Sequence, residues 1–217
     1  MLGRSITRNS ILLALFAACT TALIAGTQLL TKSDIAEQKR QAEEKALLQV
    51  VPRSRHDNSM LDDTIPVGPQ DVRLGLREEK QIYVAREKGE VIAVIIPAIA
   101  RDGYTGDIEL IVGVNRDGTI AGVRALAQRE TPGLGDKVDL KKSDWMLGFN
   151  GRSLTNPKLA GWAVKKDNGV FDEFTGATIT PRAVVTAIRK VLQFAQANRN
   201  TLFGISDTGD SPTGEAS

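Results

Sequence analysis

The run from Ile11 to Leu30 constrains this chain more than any other stretch. It carries no charged residue, and its only polar members are threonine, glycine and glutamine. About 20 residues at ~1.5 Å rise per residue match a hydrocarbon core ~30 Å thick. Inside that core the backbone must satisfy its own hydrogen bonds, so the segment is a helix. Arg4 and Arg8 precede it without an acidic residue. They hold residues 1–10 in the cytoplasm, so 11–30 spans the inner membrane once and the rest lies in the periplasm of a double-membraned bacterium. A cleaved signal peptide would have a shorter apolar core, and Ala25-Gly26-Thr27 is a weak cleavage site. Lipid attachment at Cys19 would leave the apolar residues after it without a purpose. Cys19 is therefore read as a small apolar residue within the helix.

Beyond the span, residues 31–80 read as a helical spacer and linker. Thr31 to Val51 mixes Glu and Lys with Ile35, Ala42, Ala46 and Val50 on one face, and Pro52 ends the pattern. Residues 53–80 are rich in Pro, Gly and Asp and lack a period. His56 lies in a polar run and reads as a solvated loop residue. The single Cys and single His exclude a zinc site, an internal disulfide or an iron–sulfur cluster ligated by this chain alone. The net charge of +2 and few aromatic residues point away from nucleic acid.

From Gln81 the period changes. Gln81–Arg86 and Val91–Ile96 flank Glu-Lys-Gly-Glu, and Gly106–Val114 and Thr119–Ala127 flank Asn115-Arg-Asp-Gly118, so two hairpins are expected. Asp102–Gly106 is a loop between them, and Glu130–Lys137 is a Gly/Pro loop. Leu140–Phe149 reads as a short helix with Trp145 in the core, and Leu159–Lys165 and Val170–Phe174 as further strands. Apolar Val184, Ile188, Val191 and Ala195 predict a helix from Pro181 to about Asn198. Residues 200–217 read as a disordered tail. The fold class is α+β: a transmembrane helix, then one mostly antiparallel sheet with packed helices over 81–199.

The segment Asp172-Glu-Phe-Thr-Gly-Ala-Thr178-Ile-Thr-Pro181 leads into that last helix. Thr180 is a suitable N-cap and Pro181 a suitable first residue. Gly176 and Ala177 leave the backbone uncrowded, so Thr178 presents a hydroxyl where helix N–H groups and dipole favour an anion. Thr175 and Thr180 are further hydroxyl donors.

Thr175-Gly-Ala-Thr178-Ile-Thr180, with Asp172 ahead of it, resembles the flavin-attachment signature of FMN-binding subunits of bacterial membrane redox complexes. Glu130-Thr-Pro-Gly-Leu-Gly-Asp-Lys137, Ser143-Asp-Trp145, Trp162-Ala-Val-Lys-Lys166 and the N-terminal anchor are similar to the G-subunit family of Rnf (Rsx) ion-translocating electron-transport complexes. The resemblance implies FMN joined by a phosphodiester to Thr178 by a periplasmic transferase that uses FAD, with Asp172 serving recognition by that enzyme. It also implies Glu130, Thr131, Gly133 and Leu134 as a second wall of the flavin site, with Lys165 nearby. The implied role is one electron-carrying station in a complex that couples electron flow between ferredoxin and NAD to cation movement. Other membrane and iron–sulfur subunits are the partners; this chain has no pyridine-nucleotide fingerprint and no catalytic residue of its own. A flavin accepts two electrons and releases them singly, which no side chain here does. Two alternatives stay open: the corresponding subunit of a sodium-translocating NADH:quinone oxidoreductase, and a non-redox anchored assembly module with Thr178 unmodified.

Overall fold

The computed structural model describes residues 2–205, which form two compact units, one ending at Lys45 and one beginning at Ala46. Helix α1, Leu2–Val50, runs through the apolar segment without interruption. Its stretch Arg8–Lys32, 25 residues with mean hydropathy 2.0, is long and apolar enough to cross a membrane. Three threonines inside it are satisfied locally: the Thr20, Thr27 and Thr31 hydroxyls donate to Phe16, Leu23 and Thr27 carbonyls at 2.8–2.9 Å. Such back-bonding removes the cost of a hydroxyl in hydrocarbon. The last helical bond runs from Val51 N to Leu47 O, and Pro52 follows.

The second unit is built on five antiparallel strands in sequence order: β1 Thr64–Val67, β2 Lys80–Glu87, β3 Glu90–Ala100, β4 Ile108–Asn115 and β5 Ile120–Ala127. Lys88 and Gly89, both at positive φ, turn β2 into β3 as the two-residue hairpin requires. One sheet face carries Val84, Val94, Ile96, Leu110 and Val112 into the main core with Val184, Ile188 and Val191 of α2, Ile179–Ala197. The other carries Ala85, Ala93, Ile95 and Ile111 against Leu47, Val50, Val51 and Met60. Burial on both faces explains why Val91–Ala100 is almost continuously apolar rather than alternating.

Four expectations about the scaffold are corrected. The stretch 53–80 is part of the domain: it supplies β1 and buries Leu74 and Leu76. The strand is short and at the sheet edge, where Pro66 loses no ladder bond, so it left no periodic signal. His56 is 7% exposed, because Asp57 N donates to Arg86 O and the Asn58 side chain bonds β2, holding that segment against the sheet. The expected strands 159–165 and 170–174 are short turns joined by a single Val164–Phe171 bridge. The expected tail begins with helix α3, Arg199–Phe203, which buries Leu202 and Phe203. Residues 206–217 of that tail lie outside the described residues.

Candidate functional site

Phe174-Thr175-Gly176-Ala177 is a β-turn closed by Ala177 N to Phe174 O at 2.9 Å. Gly176 has φ +82°, the value the third position of a type II turn demands. The turn leaves Thr175 exposed and delivers Thr178 to the N-cap of α2. Thr178 makes no side-chain capping bond, so its half-buried hydroxyl is not committed to the helix.

Thr180 departs from its expected role. The helix begins at Ile179, so Thr180 lies in its first turn, is fully buried, and donates its hydroxyl to Glu130 Oε2. Pro181 remains in the first turn, where its missing N–H costs nothing. Glu130 is 5% exposed. Its Oε1 accepts from Thr105 N at 3.1 Å, and the Thr105 hydroxyl lies 3.0 Å from the same oxygen. The carboxylate thus ties the loop after β3 and the loop after β5 to the start of α2. Gly135 lies over this junction: a Cβ there would meet Glu130 Oε2 at 2.8 Å and Thr180 Oγ1 at 2.9 Å.

These elements enclose a cleft of about 300 Å³ lined by Tyr104, Glu130, Thr131, Leu134, Gly135 and residues Gly176 to Thr180. Of the residues singled out from sequence, Glu130, Thr131, Leu134, Gly176, Ala177, Thr178 and Thr180 come together here. Thr175, Gly133, Lys165 and Asp172 do not line the cleft. Gly133 N instead donates to the buried Asp136 at 2.8 Å, closing its own loop. Tyr104 and Ile179 were not anticipated; with Leu134 they expose apolar surface at 66%, 46% and 40%. The signal for Tyr104 was available, an aromatic residue in a glycine-flanked surface loop.

Lys165 and Asp172 pair with each other at 2.5 Å, both largely exposed. The hydrogen bond that Lys165 donates to Asp172, reinforced by the carboxylate's charge, raises the pKa of the Lys165 ammonium above its ordinary range. Arg182 grips Asp167 through two bonds of 2.5 and 2.8 Å, which raises the guanidinium and lowers the carboxyl.

Behind the turn sits an aromatic cluster. The Trp145 indole N–H donates to Asp172 O at 2.8 Å, and its ring meets Phe174 and Phe149 edge-on at 4.9 and 5.0 Å. Trp145 is half-buried rather than a core residue, and the short helix expected over 140–149 is a 3-10 helix over 144–149 capped by Ser143. The fully buried tryptophan is Trp162, stacked with Phe149 and tilted against Phe171.

Residues 103–193 match the model of the FMN-binding domain, and residues 1–50 match that of the RnfG N-terminal region. The G subunit of the ion-translocating oxidoreductase complex of Pseudomonas aeruginosa is 50% identical, covering 92% of this chain and 92% of its own length. Its counterpart in Pseudoalteromonas atlantica is 47% identical, covering 93% and 94%. That of Vibrio atlanticus is 45% identical, covering 91% and 94%. Among solved structures, the C subunit of the Na+-translocating NADH-quinone reductase from Parabacteroides distasonis aligns with TM-score 0.47 at 20% identity, covering 76% of this chain and 94% of that one.

Proposed function

The chain belongs to the family of G subunits of ion-translocating oxidoreductase complexes, an FMN-carrying subunit of the Rnf type, and from that premise we propose that it holds its FMN covalently on Thr178. The observation that carries this reading is an uncommitted Thr178 hydroxyl in a cleft at a helix N-terminus. A phosphodiester there keeps one negative charge, which the free N–H groups of the first turn and the helix dipole stabilise. Leu134, Ile179 and Tyr104 offer apolar surface suited to a ring system, and the cleft lies at the lower end of the size range of small-molecule sites. Attachment is a transfer to the hydroxyl. The Thr178 oxygen forms a bond to the FMN phosphorus, the pyrophosphate of FAD breaks with AMP leaving, and the hydroxyl proton goes to the transferase or solvent. When bound, the cofactor supplies two-electron acceptance and one-electron release. The protein's own contribution is to retain it at the membrane and shape its surroundings.

In this reading α1 crosses the inner membrane once, with the N-terminus cytoplasmic and the domain periplasmic, where the transferase works. Other subunits of the complex supply its iron–sulfur and nucleotide chemistry. A reporter active only in the periplasm, fused after Ser217, gives signal if this orientation holds; cytoplasmic activity of the fusion rejects it. For the site, Thr178→Ala abolishes in-gel flavin fluorescence and the FMN mass increment on the peptide 172–182, while Thr178→Ser retains part of both. An FMN increment surviving in Thr178→Ala would move the attachment elsewhere.

A further inference from the structure

We infer that Glu130 sets the electrostatics of the cofactor cleft: its buried carboxylate holds a fixed negative charge in the cleft wall that lowers the electron affinity of a flavin carried there. This rests on the reading that FMN occupies the cleft at Thr178. Glu130 lines that cleft and is 5% exposed. The groups that hold it are neutral: Thr105 N–H at 3.1 Å, the Thr180 hydroxyl, and the Thr105 hydroxyl at 3.0 Å. The single Thr105 hydroxyl proton is shared with Arg129 O, 2.6 Å away. Other acids of the domain, such as Asp63, Asp71, Asp107 and Asp167, do pair with a cation. A buried charge without an opposite charge is unusual, because its desolvation is only partly offset by dipoles.

Pinning three segments does not require that charge. A glutamine at 130 has the same length: its carbonyl accepts from Thr105 N, its amide donates to the Thr180 hydroxyl oxygen, and it spans the same gap. What the acid adds is a field. Glu130 reaches α2 through Thr180, two residues along from Thr178, and Gly135 packs its backbone over the carboxylate in place of solvent. Charge interactions across such a poorly solvated wall are several-fold stronger than in water. Electrons arriving at a cofactor in the cleft meet this anion, so the midpoint potential lies below that of the same protein without it.

The test is a redox titration of the flavin absorbance of the full-length flavinylated chain, with intact mass reporting the FMN increment in each sample. Glu130→Gln shifts the midpoint to more positive potential, and Glu130→Asp, which keeps the charge, stays on the wild-type side. If Glu130→Gln does not accumulate folded, Glu130→Met, neutral and of similar volume, takes its place. A folded, FMN-bearing neutral variant with an unchanged or more negative midpoint overturns the inference. So does Glu130→Asp rising as far as the neutral variant, which would assign the effect to packing. A wild-type chain lacking the FMN increment would instead reject the attachment at Thr178.

Discussion

The four long strands and the segment from Gln128 to Thr178 solve the same problem in different ways. In β2–β5 the backbone groups pair in ladders, and registers such as Ile96 with Val112 bring apolar side chains face to face. The segment after β5 has no strand. Many of its backbone bonds close over three residues, as in Leu134 N to Thr131 O, Asp139 N to Asp136 O and Asn168 N to Lys165 O, with a few longer ones such as Phe171 N to Ala163 O. Its coherence comes from rings: Phe149 stacks with Trp162 and Phe171, which tilt against each other, and Trp145 abuts Phe149 and Phe174. The ladder gives a frame with little freedom to place a hydroxyl. The turn-built segment gives up regularity and gains the ability to put Glu130, Leu134 and Thr178 around one cleft.

The sharpest way to break this contrast is to remove the ring on which the irregular half rests. Trp162 is 1% exposed, and its indole N–H donates to Ser153 O at 2.9 Å. Trp162→Ala deletes the largest buried side chain there and leaves Ser153 O with only the longer bond from Asn156 N at 3.3 Å, for a loss of about 3–5 kcal/mol. A single cooperative melt at lower temperature is expected, because the same core cluster contains Ile96 and Val112 of the sheet. Two separate transitions would show instead that the irregular half melts on its own.

A smaller effect isolates the link between the two halves. Thr180→Val keeps the shape but removes the bond to Glu130, leaving a buried carboxylate oxygen short of a donor. The expected cost is about 1–3 kcal/mol by denaturant titration. Flavin attachment persists, since the Thr178 hydroxyl is untouched. Loss of flavin in Thr180→Val, with Thr178→Ala still modified, would mean that Thr180 is the acceptor.

The same contrast explains what could be read without coordinates. The hairpins were legible because strand periodicity and the Lys-Gly and Asp-Gly turns are local signals. The turn that carries Thr178 was legible for the same reason: Gly176 and the helix after it speak within ten residues or so. The partners of Thr180 and Trp145 were not. A Thr-Pro pair looks like a cap, yet the Thr180 hydroxyl is claimed by Glu130 from a loop beyond the sheet, and no spacing encodes that contact. Which tryptophan is buried was hidden too, because 3-10 turns of three to six residues have no face long enough for a period to emerge. Seven of the residues singled out line the cleft, while Thr175, Gly133, Lys165 and Asp172 fall outside it.

Asp172 yields the smallest expected change in stability, and it separates holding the turn from being recognised on it. The side chains of Lys165 and Asp172 are 58% and 69% exposed, so their ion pair adds too little to resolve by melting. The sign is nonetheless defined. Asp172 raises the Lys165 pKa above 10.5, so the contribution is present below that value and is lost only as pH climbs through the raised one. Near neutrality the pair is fully formed. The turn backbone does not depend on it, because Asp172 O is held by the Trp145 indole and Phe174 O by Ala177 N. Asp172→Ala is therefore expected to melt with the wild type while its covalent flavin yield falls, measured as the FMN-bearing fraction by intact mass after co-expression with the transferase. Lys165→Ala, which frees the acid, retains the yield. Full flavin loading of Asp172→Ala at the wild-type rate would sink the recognition role and leave Asp172 as an exposed partner of Lys165 alone.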